Sequence, residues 1–271
     1  MLPETMPVCP VRGSVIYPTM VMPIDAGRPI SIRAIDEALA RDRVLLIVSQ
    51  RDKEVETPRP SDLFEVGTAC NILKMRKNPD GSVQVLVQAF ARVRVREWLD
   101  LGDHLEARGE VLADEPGEPI LVKALVREVK DKFQALLKEG KYLAPEVAQF
   151  ILNLEDPSQL ADYVAFHMDF RLEDKQKVLE TANVAERLRA VLVLLEAELA
   201  LIETQRRIQQ QVKEEIDRNQ REYFLREQMK AIQRELHGEE GEQEVEEFRR
   251  KLEALDRPPV VRQEVERELN R

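Results

Sequence analysis

Up to about residue 115 the hydrophobic positions come in short runs and alternations of strand length. The apolar runs at 8–11 and 20–24 are brief and are punctuated by Pro10 and Pro18. Ser31 is placed to cap a helix, because Ile32, Ile35, Ala38 and Leu39 recur after it at helical spacing. The run 44–48 is continuously apolar and strand-length, and the polar, proline-bearing stretch 51–62 reads as a loop. Strands at 66–75 and 83–90 flank Asn78-Pro79-Asp80-Gly81, which is hairpin chemistry. In the second of them Val83, Val85 and Val87 alternate with Gln84, Leu86 and Gln88; beyond it Val93 and Val95 alternate with Arg92, Arg94 and Arg96. That alternation predicts one face in a core and a solvated arginine face opposite. A further strand fits within 104–112. Several short strands and one helix predict a small barrel or sandwich over 1–115.

From Pro119 the period changes. Leu121, Leu125, Val129, Phe133 and Leu136 follow helical spacing, with Gly140 as a stop. Pro145 and Pro157 sit where first helical turns begin, the latter after Asp156 as N-cap. Another short helix covers 173–181, completing a helical domain over 118–200. Asn183 and Glu186 have capping-box spacing, and neither Gly nor Pro follows until Gly238. This predicts one long helix over 183–238, roughly 80 Å at 1.5 Å per residue. Its opening stripe, Leu188, Leu192, Leu195, Leu199 and Ile202, is a coiled-coil seam or a helix packed on its own domain. The stripe then shifts phase, as expected for a helix docked at its start and protruding at its end. The acidic stretch 237–247, with two glycines, reads as a linker. Short helices over 242–271 follow, interrupted by Pro258 and Pro259 and without a stop signal, which predicts continuation into a longer protein.

Charged residues make up 34% of the chain and the net charge is −10, which argues against broad nucleic-acid or anionic-membrane binding. No apolar run approaches the ~20 residues of a membrane span, and no signal peptide is visible. The expectation is a cytoplasmic protein with Cys9 and Cys70 as buried thiols. The sequence contains no phosphate-binding loop, no ligand-spaced His/Cys cluster and no nucleophile elbow. Catalytic residues, metal ligands and cofactors are therefore not expected within it.

Two segments carry a family resemblance. One runs from Pro7-Val8-Cys9-Pro10-Val11-Arg12 through Tyr17-Pro18-Thr19-Met20-Val21-Met22-Pro23-Ile24 to Gly27-Arg28 and Ser31. The other is the NQREYFLREQMKAIQREL run from Asn219 to Leu236. Both resemble the N-terminal region of bacterial Lon proteases, and Leu63 to Thr68 and Pro79-Asp80-Gly81 fit the same pattern. Tyr17 and Thr19 depart from it, since the family more often has Phe and Gly there. The resemblance implies an α+β chain: a β-rich, PUA-like domain, a helical bundle, then a long helix leading toward an AAA+ ATPase and a Ser-Lys peptidase. It also implies hexamers, unfolded or damaged proteins as partners, and ATP and Mg in the full-length family member. The ATPase and peptidase positions are not in this sequence.

Capturing unfolded chains requires exposed, adaptable apolar contact, which methionine supplies. Tyr17, Pro18, Met20, Met22 and Ile24 lie in a proline-punctuated segment unsuited to a central strand, and are candidates for such a surface as well as for the core. Tyr223, Phe224, Leu225 and Met229 cannot all point one way on a helix, so some are expected to be exposed, for packing against neighbouring subunits or gripping substrate. Two other functions remain open at this point. One is a purely structural coiled-coil oligomerisation scaffold; the other is a nucleic-acid-binding module using Arg92, Arg94 and Arg96.

Overall fold

The structure, a computed structural model, describes residues 2–139 and 143–253. Six strands, β1 (Met6–Val11), β2 (Val21–Ala26), β3 (Val44–Ser49), β4 (Val66–Lys77), β5 (Val83–Asp100) and β6 (Leu105–Val111), surround one helix, α1 (Pro29–Ala40). The helices α2 (Pro119–Lys138), α3 (Pro145–Leu152), α4 (Pro157–His167), α5 (Leu172–Glu180) and α6 (Val184–Glu253) follow. The sheet order is β2-β5-β4-β3-β1-β6, and β5 also pairs with β6, which closes a barrel. The 18-residue β5 makes this closure: its first half pairs with β2 and its second half with β6. Between β4 and β5 the Asn78 carbonyl accepts from Gly81, whose φ of 86° suits glycine.

On β5, Val83, Val85, Val87 and Ala89 pack with α1, while Val93 and Val95, beyond the bulge opposite Ala69 and Cys70, join a second cluster. Alternate residues of β3, Leu45 and Ile47 against Leu46 and Val48, divide between the same two clusters, which therefore cover opposite faces of the sheet. Gly67 is pressed so closely on β3 that a Cβ there would lie 2.5 Å from the Ile47 carbonyl oxygen. Cys9 and Cys70 are free, buried thiols, and burial pushes Cys9 up to about 11. The start of α1 differs from the Ser31 cap expected above. Arg28 is the N-cap and Pro29 opens the helix, since proline's fixed φ suits that position and its missing N–H is no loss there. Asp156 does cap α4, accepting from the Ser158 and Gln159 amides. Asn183 caps α6, accepting from Ala185 and Glu186.

Met1–Ile202 forms one compact unit, in which the strands over 1–115 and the helices over 118–200 pack on each other. Val15, Tyr17, Met20 and Val66 belong to the same core as Phe133, Leu160, Leu188 and Leu195. The opening stripe of α6 is therefore a helix packed on its own domain: Leu188 and Leu195 are fully buried, and Leu192, Leu199 and Ile202 are packed at the edge. Residues from Glu203 onward form a second unit. The linker expected at 237–247 is helical backbone instead, because α6 runs unbroken to Glu253. Two glycines each cost about 1 kcal/mol in a helix, and the Glu-rich, helix-favouring sequence around them outweighs that. Gly140, Pro258, Pro259 and the helix expected after them lie outside the described residues.

Candidate functional site

β2 is the free edge of the sheet. The Met20 carbonyl accepts from the Ala89 amide at 2.8 Å, so with a period of two Met22, Ile24 and Ala26 turn their backbone groups toward β5. Val21, Pro23 and Asp25 turn theirs toward the open edge, where a proline's missing N–H does no harm and discourages further strand addition. Side chains alternate likewise. Ile24 packs into the core shared with α1 and Met22 is half-buried against the same core, while Val21, at 54% exposure, and Pro23 stand on the outer face. Val21 pairs with Gln88 and Pro23 with Leu86. Phe90, in the β4–β5 bulge, is 38% exposed on that same outer face.

The outer face thus holds an apolar strip of Val21, Pro23, Leu86 and Phe90, framed by Gln88, Asn71 and Lys74. Of the five residues singled out from sequence, Tyr17, Pro18, Met20 and Ile24 are buried. Tyr17 is covered by the helical core, where its hydroxyl donates to the Lys175 carbonyl at 2.8 Å. Both surface and core stood open for these five, and the structure places four of them in the core. Within β2, alternation turns Ile24 inward and its neighbours Val21 and Pro23 out.

Arg92, expected on a solvated face, is 4% exposed. It emerges from β5 opposite Thr68 of β4, on the side of the sheet that the helices cover. Its Nη2 donates to both Asp162 oxygens on α4 at 2.5 and 2.6 Å, and its Nη1 donates to Asp114 at 3.1 Å. Arg187 on α6, fully buried, donates to Asp114 at 2.7 Å, to Ser158 at 2.7 Å and to the Thr181 carbonyl. Two guanidiniums and two carboxylates thus tie β5, the segment before α2, α4 and α6 into one network. Burial pushes the Asp162 carboxyl up to about 6, against the pull of Arg92 and Arg187. Nothing in the alternating pattern of β5 marked this; the signal was an Asp on the buried side of an otherwise apolar α4.

In the second unit Tyr223, Phe224, Leu225 and Met229 are all more than half exposed, at 69%, 62%, 53% and 62%. Ile208, Val212 and Ile216 share one stripe ending at Tyr223. Leu225, Met229 and Ile232 form another, whose first residue lies about 200° around the helix from Tyr223.

The model for the ATP-dependent protease La (LON) substrate-binding domain matches residues 5–197. The chain belongs to this family. It is 38% identical over 267 residues to the Lon protease of Brevibacillus choshinensis, covering 98% of this chain and 34% of that protein. It is 39% identical over 266 residues to the Lon protease of Escherichia coli (strain K12), with the same coverage of 98% and 34%. Lon protease 1 of Thermus thermophilus is 42% identical over 270 residues, again covering 98% and 34%. The chain therefore spans about a third of the length of these relatives. The N-terminal domain of a Mycobacterium avium complex Lon protease superposes with a TM-score of 0.60 at 26% identity, covering 71% of this chain and 98% of that one.

Among the described residues of this family member there is no group of three or more His, Cys, Asp or Glu placed to hold a metal ion. No described helix is long and apolar enough to cross a membrane. The apolar strip of Val21, Pro23, Leu86 and Phe90 lies within the matched residues 5–197, whereas the exposed α6 stripes, from Ile208 onward, lie beyond them.

Proposed function

We propose that this chain is a non-catalytic, cytoplasmic capture module of an ATP-dependent protease, holding unfolded or damaged protein segments on the outer face of β2, β5 and β4. The observation that carries this reading is the strip of exposed Val21, Pro23 and Phe90 with half-buried Leu86, on an edge where Pro23 discourages strand pairing. Side-chain contact without backbone pairing suits clients of no fixed sequence, because it demands only apolar character. ATP and Mg belong, in this reading, to the parts of such a protease that this sequence does not contain.

The exposed α6 residues Tyr223, Phe224, Leu225 and Met229 serve self-assembly, toward the hexamer that the family resemblance implies. Apolar stripes on opposed sides of one helix suit a helix with a neighbour on each side. The arginine stripe does not favour a nucleic-acid role. Arg92 is consumed by buried carboxylates and Arg96 is paired with Glu110.

The test is anisotropy of a labelled, permanently unfolded protein with the full chain and with Val21→Asp and Phe90→Asp. Each variant is expected to weaken binding about tenfold, 1.4 kcal/mol, with an unchanged melting temperature. Unaltered affinity in both would remove the outer face from the account.

A further inference from the structure

A cleft of 570 Å³ opens between the start of β4, the middle of β5 and α5. Val66 and Arg94 are directly paired across β4 and β5, so both side chains leave the same face of the sheet toward the cleft. From α5 come Glu173, Gln176, Lys177 and Glu180, a spacing that puts them on one helix face over two turns, about 10 Å. The rim carries three cations, Arg51, Arg94 and Lys177, and three carboxylates, Glu65, Glu173 and Glu180. Arg51 lies over the Phe64 ring at 4.6 Å and is anchored by Nε donating to the Leu63 carbonyl at 3.0 Å. That leaves its two terminal nitrogens unengaged among the described residues. The Arg94 side chain makes no hydrogen bond among the described residues, although it stands opposite Glu110 on β6 and its charge helps hold that carboxyl low.

Gln176 is an independent observation. It is 1% exposed, and its Nε2 donates to the Val66 carbonyl at 2.9 Å and to a Glu180 oxygen at 2.8 Å. Both partners are acceptors, so the orientation of the amide is fixed. Its Oε1 is then a buried acceptor with no donor among the described residues. Folded proteins rarely leave such an atom unsatisfied, and here it is sealed from solvent, so Gln176 walls the cleft and does not itself meet what the cleft holds.

We propose that this cleft binds a short zwitterionic peptide of two or three residues. Its carboxylate meets the Arg51 and Arg94 guanidiniums, its ammonium the glutamates, and an apolar side chain the Phe64 ring. The balanced rim disfavours a polyanion, which would meet three carboxylates along with its cations. Three extended residues reach about 10 Å, the length of the two α5 turns, and the cleft lies within the roughly 300–1,000 Å³ of small-ligand sites. The reaction class that supplies such a ligand is peptide-bond hydrolysis.

The test titrates the full chain with Ala-Leu-Ala, its N-acetyl form and its C-terminal amide, read by calorimetry and backbone amide shifts. The zwitterion is expected to bind, with shifts gathered at Phe64, Val66, Arg94 and Gln176, and each blocked end is expected to weaken binding at least tenfold. Arg94→Gln should reproduce the loss seen on amidation with little change in melting temperature, since its attraction to exposed Glu110 is solvent-screened and Glu110 keeps Arg96. No binding, equal binding of all three peptides, or sensitivity to one end alone would overturn the proposal. Val21→Asp, which disables the outer face, should leave peptide binding intact, so client capture and this site fail separately.

Discussion

Thr19 turns the chain into β2 with a φ of 67°, a left-handed conformation that a β-branched residue adopts only under strain. It is exposed, so its side chain contributes little packing, and it stands where the family more often has glycine. Thr19→Gly is expected to raise stability by about 1 kcal/mol in denaturant unfolding, the relief exceeding the added freedom of the unfolded chain. The buried network makes the opposite prediction. Arg92→Met strips Asp162 of its bidentate partner and is expected to destabilise by about 3–5 kcal/mol at neutral pH, and adding Asp162→Leu should recover much of that. The single-variant deficit should shrink as pH falls toward about 6 and level off below it, because without the lowering pull of Arg92 the Asp162 carboxyl of the variant takes up its proton at higher pH than that of the parent. Glu106 behaves differently. Desolvation raises its pKa, but hydrogen bonds from Arg41 and His104 outweigh that and hold the carboxyl low. A depressed folded value stabilises above the unfolded value of about 4.3 and is lost as pH falls below it. Melting temperatures of Glu106→Gln should therefore lie below the parent at pH 7 and converge with it under about pH 4.

Most elements were legible in the hydrophobic pattern because each obeys its own period. The proline-initiated helices, the Asn183 cap and the hairpin at Asn78 to Gly81 needed only local chemistry. Two features did not yield to it. The segment 20–24 has the length of a short strand, but with no polar residue in it the pattern carries no sign of which side chains turn inward; the structure sends Met20 and Ile24 inward and Val21 and Pro23 outward. Arg92 obeys the same alternation as Arg96, and only the helices folded over part of β5 distinguish a buried charge from a solvated one. Glycine misled in the other direction at 238 and 241, where α6 continues through both. Gly238→Ala and Gly241→Ala should each stabilise the helix locally by about 0.5–1 kcal/mol, seen as slower amide exchange around the substitution.

At the scale of the molecule, the compact unit ending at Ile202 contains the barrel, the helices packed on it and the apolar strip. The exposed stripes of α6 lie in the other unit. A chain ending at Ile202 is thus expected to fold and to bind an unfolded protein as the full chain does, while sedimenting as a monomer. Retained self-association in that shortened chain would move the assembly contacts off Tyr223, Phe224, Leu225 and Met229. The most direct test of capture by the barrel's outer face is residue-resolved amide-shift mapping of this unit, titrated with one protein in its native form and in a permanently unfolded form. The account predicts shifts centred on Val21, Leu86 and Phe90 with the unfolded form and none with the native one. Equal responses to both, or shifts that avoid β2 and β5, would contradict it.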